Sequence, residues 1–161
     1  MSLTSALAQK SDVMPKGQFL EIYNAEKTYD NVGGIYSADA SKLSTEWTSN
    51  DFSLETINGN QYFSTNGYAP NANKIATSNS ISLPNIVGKQ RIIMQIEQSF
   101  ETESFYDFIY VNVNGQEVYR KSGKTSLMTD YIDLTSFAGQ TVQLSLQLTS
   151  DGSEQIGRAH V

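Results

Sequence analysis

From Arg91 onward the chain alternates. Ile92, Met94, Ile96 and Phe100 recur at even spacing with polar residues between them, the period of a strand that lays one face on a core. After an acidic turn the alternation resumes as Ile109, Val111 and Val113, set against Tyr110, Asn112 and Asn114. Both runs are rich in β-branched and aromatic residues and too short between interruptions for a helix. Asn114-Gly115 then ends the second run with residues that accept the left-handed positions of a tight hairpin. Val142, Leu144, Leu146 and Leu148, alternating with Gln143, Ser145 and Gln147, form the cleanest strand in the sequence.

The other elements are shorter. Gly17 to Tyr23 predicts a first strand, with adjacent Phe19 and Leu20 blurring its alternation, and Asp30 to Gly34 reads as a turn by composition. Ser41 to Thr48 holds one or two helical turns at most. Asn58-Gly59, between Ile57 and the Tyr62-Phe63 pair, signals a hairpin. Ile81 and Leu83 share a face before Pro84 breaks the ladder. Val118 and Tyr119 belong to a return strand, Leu127 to Leu134 to another, and Ser136 to Gln140 to a turn or single helical turn. The eight residues after Ser153 leave little room for one more strand. Many short strands at this spacing predict an all-β fold of two antiparallel sheets packed face to face. No segment between strands supplies the dozen or so helical residues of a parallel crossover. Residues 17–161 read as one domain, and residues 1–16 as a loose lead-in, disordered or left over from cloning.

Composition narrows the function classes. The 161 residues suit one domain with an extended core. Eleven basic against seventeen acidic residues give a formal charge of -6, which disfavours nucleic acid or an anionic membrane surface as partner. The one compact basic cluster, Arg120 to Lys124, reads as a solvated hairpin tip. Cysteine is absent, which excludes disulfides, thiolate metal sites and a cysteine nucleophile. No apolar run reaches the length of a bilayer span, so membrane insertion is not expected. Abundant Tyr, Asn, Ser, Thr and Gln suit the wet face of a secreted or cell-surface module.

Catalytic chemistry finds few residues. The single histidine, His160, is penultimate, a serine nucleophile would need a held base, and zinc would lack nitrogen and sulfur ligands. Glu103 with Asp107, or Glu97 with Glu101, could in principle serve a glycoside hydrolase, but no aromatic subsite is evident around them, and a noncatalytic reading is preferred. Glu101, Glu103 and Asp107 crowd three carboxylates into one loop. They must diverge, pair with bases or share a cation, and oxygen ligands from Asp107 and Glu103 would suit calcium; a solvated turn fits the same residues. Asp151 is explained by an Asx-type turn.

Binding is the better supported class. Tyr62, Phe63, Tyr68, Tyr106, Tyr110 and Tyr119, with Asn71, Asn73, Asn112 and Gln116, offer flat apolar surface beside hydrogen-bonding groups. The candidate ligand-binding residues are Tyr110, Asn112, Tyr119, Tyr68 and Trp47. Each Tyr could equally cover a sheet with its hydroxyl in water, and Trp47 could equally plug one end of the sandwich. The partner would be a glycan or a neighbouring protein domain; the alternative is a spacer with no ligand of its own.

SNSISLPNI, FETESFYDFIYVNVNG and DYIDLTSFAGQTVQLSLQLTSDGS follow one another with short strands between them. This succession resembles the extracellular jelly-roll modules beside the catalytic domains of secreted bacterial metallopeptidases of the immune-inhibitor-A type, and the related MAM-like and choice-of-anchor or cleaved-adhesin domains. The carrying features are the entry from Leu83 to Ile86, Glu103 with Tyr106-Asp107 before a strand, the Ile132 to Gln140 element and the Ser150 to Ser153 turn, within about residues 79–153. The resemblance implies a jelly roll, an exported accessory or adhesive role, and a structural calcium ion beside Asp107. It departs at the end, where Gly157 to Val161 stand in place of a closing strand with tryptophan and aspartate.

Overall fold

The computed structural model describes residues 20–24, 31–36, 38, 40–152 and 158–161; the lead-in expected over residues 1–16 lies outside them. The strands are β1 (Leu20–Asn24), β2 (Asn31–Tyr36), β3 (Trp47–Ser49), β4 (Ser53–Ile57), β5 (Asn60–Asn66), β6 (Asn73–Ser78), β7 (Ile81–Ser82), β8 (Gln90–Glu101), β9 (Phe108–Val113), β10 (Gln116–Lys121), β11 (Lys124–Asp133), β12 (Thr141–Val142), β13 (Leu144–Thr149) and β14 (Arg158–His160). One short helix, α1 (Ala40–Thr45), and a 3-10 turn (Thr135–Phe137) complete the described elements.

The antiparallel sheets form a sandwich with jelly-roll order. β5, β14, β8 and β11 lie side by side in one sheet, and β6, β13, β9 and β10 in the other. Among these eight strands every connection passes from one sheet to the other except the β9–β10 hairpin, which is the wrapping of a jelly roll. β4 extends the first sheet beside β5, and β3 extends the second beside β6. β8 is long enough to take β1 at its start and β14 at its end along one edge, while β11 runs along the other from Ile93 to Glu101. β7 and β12 make a separate two-strand clasp.

The stripes meet between the sheets. Ile92, Met94, Ile96 and Phe100 of β8, Ile109, Val111 and Val113 of β9, and Leu144, Leu146 and Leu148 of β13 are all buried in one core. Leu146 sits between Val111 and Ala76 of its two neighbouring strands. Each such side chain contributes about 1.5–3 kcal/mol of burial free energy, so the alternation alone commits these strands to facing inward. Asn58-Gly59 (φ 52° and 85°) and Asn114-Gly115 (φ 51° and 79°) both place two successive residues in the left-handed region, as a two-residue hairpin turn requires.

Three expectations change. The turn expected at Asp30 to Gly34 is instead largely strand: β2 pairs with β1 across two register shifts, with Gly34 opposite Glu21 and Gly33 opposite Ile22. Glycine composition mimics a turn, but an irregular edge pairing accommodates it. The strand expected through Val142 is broken at Gln143, because Val142 pairs with Ile81 while Leu144 pairs with Val113. Asn114 holds the break, donating its N–H to the Gln143 carbonyl (2.9 Å) and accepting the Gln143 N–H on Oδ1 (2.8 Å). The last residues do form a strand, β14, between β5 and β8.

Candidate functional site

Loops far apart in sequence converge on Asp107. Its carboxylate is fully buried and accepts the Tyr68 hydroxyl on Oδ2 (2.7 Å) and the Asp151 N–H on Oδ1 (3.1 Å). The Asp107 N–H donates to the Glu103 carbonyl (3.0 Å). Asn71 donates its N–H to the Asp151 carbonyl (2.6 Å), and Ser150 donates its N–H to the Ala72 carbonyl (3.0 Å). The β5–β6 loop, the β8–β9 loop and the end of β13 are thereby tied together. Burial, then the bond to Asp107, pushes the Tyr68 phenol well above its ordinary range.

One carboxylate oxygen each from Glu103, Asp107 and Asp151 lies within 4.8 Å of the others. An all-oxygen set of this kind is the donor chemistry of hard cations, calcium and magnesium alike, and does not fit structural zinc. The expected crowd is thus partly reassigned: Glu101 leaves the group and pairs with Lys124 (2.8 Å), and Asp151 takes its place. The loop between Glu103 and Asp107 carries Phe105 at φ 71°, an uncommon conformation for a bulky residue, held by its N–H to Ser122 Oγ (3.0 Å).

The proposed ligand-binding residues separate into an outward pair and three interior rings. Tyr110 and Asn112 alternate with core Ile109, Val111 and Val113 and stand half-buried on the outward face of the five-stranded sheet. Asn112 Nδ2 donates to Gln147 Oε1 (3.2 Å) and Gln147 Nε2 to Asn73 Oδ1 (2.7 Å), making an amide ladder across three strands. Beside it the Phe108 and Tyr110 rings lie 5.9 Å apart, with the Arg120 guanidinium 5.1 Å from the Phe108 ring. Trp47 is a core plug, packed 5.6 Å from Phe63 and donating Nε1–H to the Tyr36 hydroxyl (3.1 Å). Tyr68 is buried on Asp107. Tyr119 points between the sheets, where its hydroxyl bonds Asp130 and Gln98. Trp47 and Tyr68 are buried and Tyr119 is part-buried between the sheets, so of the five residues Tyr110 and Asn112 face outward.

A second polar group lies on the outward face of the seven-stranded sheet. The Tyr62 hydroxyl donates to Glu97 Oε1. Ser64 Oγ contacts Glu55 Oε2 (2.7 Å) and His160 Nδ1 (2.8 Å), so the penultimate histidine is held within a strand. Burial, then the bond to Glu97, raises the Tyr62 phenol. Glu97 and Glu101 sit four residues apart on the same face of β8, about 13 Å along the backbone, with Glu97 bonded to Tyr62 and Glu101 paired with Lys124. Sequence reasoning missed this face because its members lie on separate strands; Gln95 and Glu97 at alternate positions of β8 were its one local sign.

No protein-family model matches the chain, and no curated protein matches it in sequence.

Proposed function

We propose that this domain is a noncatalytic, exported binding module whose ligand is an extended neutral glycan, held on the outward face of the five-stranded sheet. The carrying observation is the amide ladder Asn112–Gln147–Asn73 beside the Phe108–Tyr110 ring pair. Stacking surface next to paired donors and acceptors is what a pyranose ring and its hydroxyls require. The acidic balance of the chain supports a neutral ligand over a polyanion. The resemblance to adhesive jelly-roll modules supports an extracellular setting, and calcium at Glu103, Asp107 and Asp151 would be structural, pinning three loops at one end. A glycan array followed by calorimetry tests the reading. A hit should lose at least tenfold in affinity on Tyr110→Ala with Asn112→Ala. Absence of any hit, or an unchanged affinity in the folded variant, replaces this reading with that of a spacer or protein-contacting domain.

A further inference from the structure

On the outward face of the five-stranded sheet, register sorts the side chains into rows that cross the strands. Asn112 lies opposite Ser145, Ser145 opposite Thr77 and Thr77 opposite Thr48, so four neighbouring strands contribute one wholly polar row. In the row beside it Tyr110 lies opposite Gln147, and Gln147 opposite Ile75. Both rows point away from the core, since Val111, Leu146 and Ala76, which alternate with them, point into it. On the other side of the Tyr110 row stand Thr149 and Asn73, opposite one another.

The Tyr110 row is apolar at two points. Tyr110 is half-buried and Ile75 is 37% exposed. Of the exposed large apolar side chains among the described residues, Ile75 is the only one on a strand of this sheet. Two strand spacings, about 9–10 Å, separate it from Tyr110. Between them the Gln147 amide is engaged sideways, accepting from Asn112 and donating to Asn73, so the middle of the row is an uncharged, bonded floor.

We propose that the ligand of this face is a β-1,4-linked chain of pyranoses with equatorial hydroxyls, a glucan or a xylan, lying across the strands for at least three sugar units; this rests on the glycan reading above. Such a chain is a ribbon whose rings carry apolar faces above and below and hydroxyls around the rim. Its disaccharide repeat is close to the separation of Tyr110 and Ile75, so alternate rings meet the two apolar side chains while the ring between them rests over Gln147. Rim hydroxyls then face Asn112, Ser145 and Thr77 on one side and Thr149 and Asn73 on the other, the pairing of apolar face to apolar contact and hydroxyl to polar group that sugar sites use. A chain laid along a strand would set ring faces on the Asn112 or Asn73 amide. Coiled α-1,4 and β-1,3 chains do not keep alternate rings level with a flat row.

The test is calorimetry of the full chain with cello-, xylo-, malto- and laminari-oligosaccharides of two to five units. The cello or xylo series should gain about tenfold in affinity from disaccharide to trisaccharide. Ile75→Thr keeps a β-branched residue suited to a strand and should return the trisaccharide to the affinity of the disaccharide. Tyr131→Ala, on the other sheet, should change neither affinity. Preference for the malto or laminari series, affinity independent of length, a gain retained in Ile75→Thr or lost in Tyr131→Ala, or binding of an array sugar outside the cello and xylo series alone would each overturn the linkage and orientation while leaving a glycan module. Failure of every sugar, on the array and in calorimetry, removes the glycan reading itself.

Discussion

Asp107→Asn is the sharpest perturbation of the loop junction. The carboxylate accepts two donors in a fully buried position, the Tyr68 hydroxyl and the Asp151 N–H. An asparagine keeps one carbonyl acceptor and sets its own amide N–H against the other donor. A hydrogen bond to a charged group contributes about 1.5–3 kcal/mol, and a buried donor left unsatisfied costs about 1–3 kcal/mol. Relief of the buried charge offsets part of this, leaving a loss of roughly 3 kcal/mol. At about 2–4 °C per kcal/mol for a chain of this size, Tm should fall by roughly 6–12 °C. Tyr68→Phe, which removes one donor and leaves the carboxylate its other partner, should cost about 2 kcal/mol. The two losses share one bond, so the double variant should fall short of their sum by at least about 1 kcal/mol, well outside the roughly 0.3–0.5 kcal/mol within which independent sites add. Urea unfolding of the four proteins in excess chelator measures the cycle without ion binding. Additive losses would falsify the claim that Asp107 holds the loops through Tyr68.

Calcium bound only by the folded state at a hundredfold excess over Kd adds about 2.7 kcal/mol, so millimolar calcium should raise Tm by roughly 5–10 °C over the chelated protein and should lose that effect in Asp107→Ala. Equal melting temperatures, with no metal found by elemental analysis, would remove the site. Burial and acceptor carboxylates raise the phenols of Tyr62, Tyr68 and Tyr119 above their ordinary 10. Their raised folded values leave the stability intact below pH 10 and withdraw it as pH rises further, because the unfolded chain releases phenolic protons that the folded one keeps. Urea midpoints should therefore be flat up to about pH 9 and then fall. Tyr68→Phe with Tyr119→Phe should flatten the fall, and an unchanged slope would refute the assignment.

Strand identity and facing were legible in the residues because a period of two is local. Ile92 to Phe100, Ile109 to Val113 and Leu144 to Leu148 announce inward stripes without reference to any partner, and Tyr110 and Asn112 follow on the outward face. Asn58-Gly59 and Asn114-Gly115 announce their turns because few residues tolerate two left-handed positions in succession. What the tertiary structure alone decided is which strands become neighbours and which loops meet. Gln98, at an inward position of the β8 stripe, is tolerated there because Tyr119 of the opposite sheet and Asp130 of β11 reach its amide. Asp151 joins Asp107 from 44 residues away, and Tyr62 reaches Glu97 from 35. Trp47, at the start of β3, goes inside against Phe63, and Tyr68, in the β5–β6 loop, goes inside onto Asp107. Periodicity sets the direction of a side chain, but the jelly-roll crossing order sets its company, and that order arises from long-range pairing that no local stretch encodes.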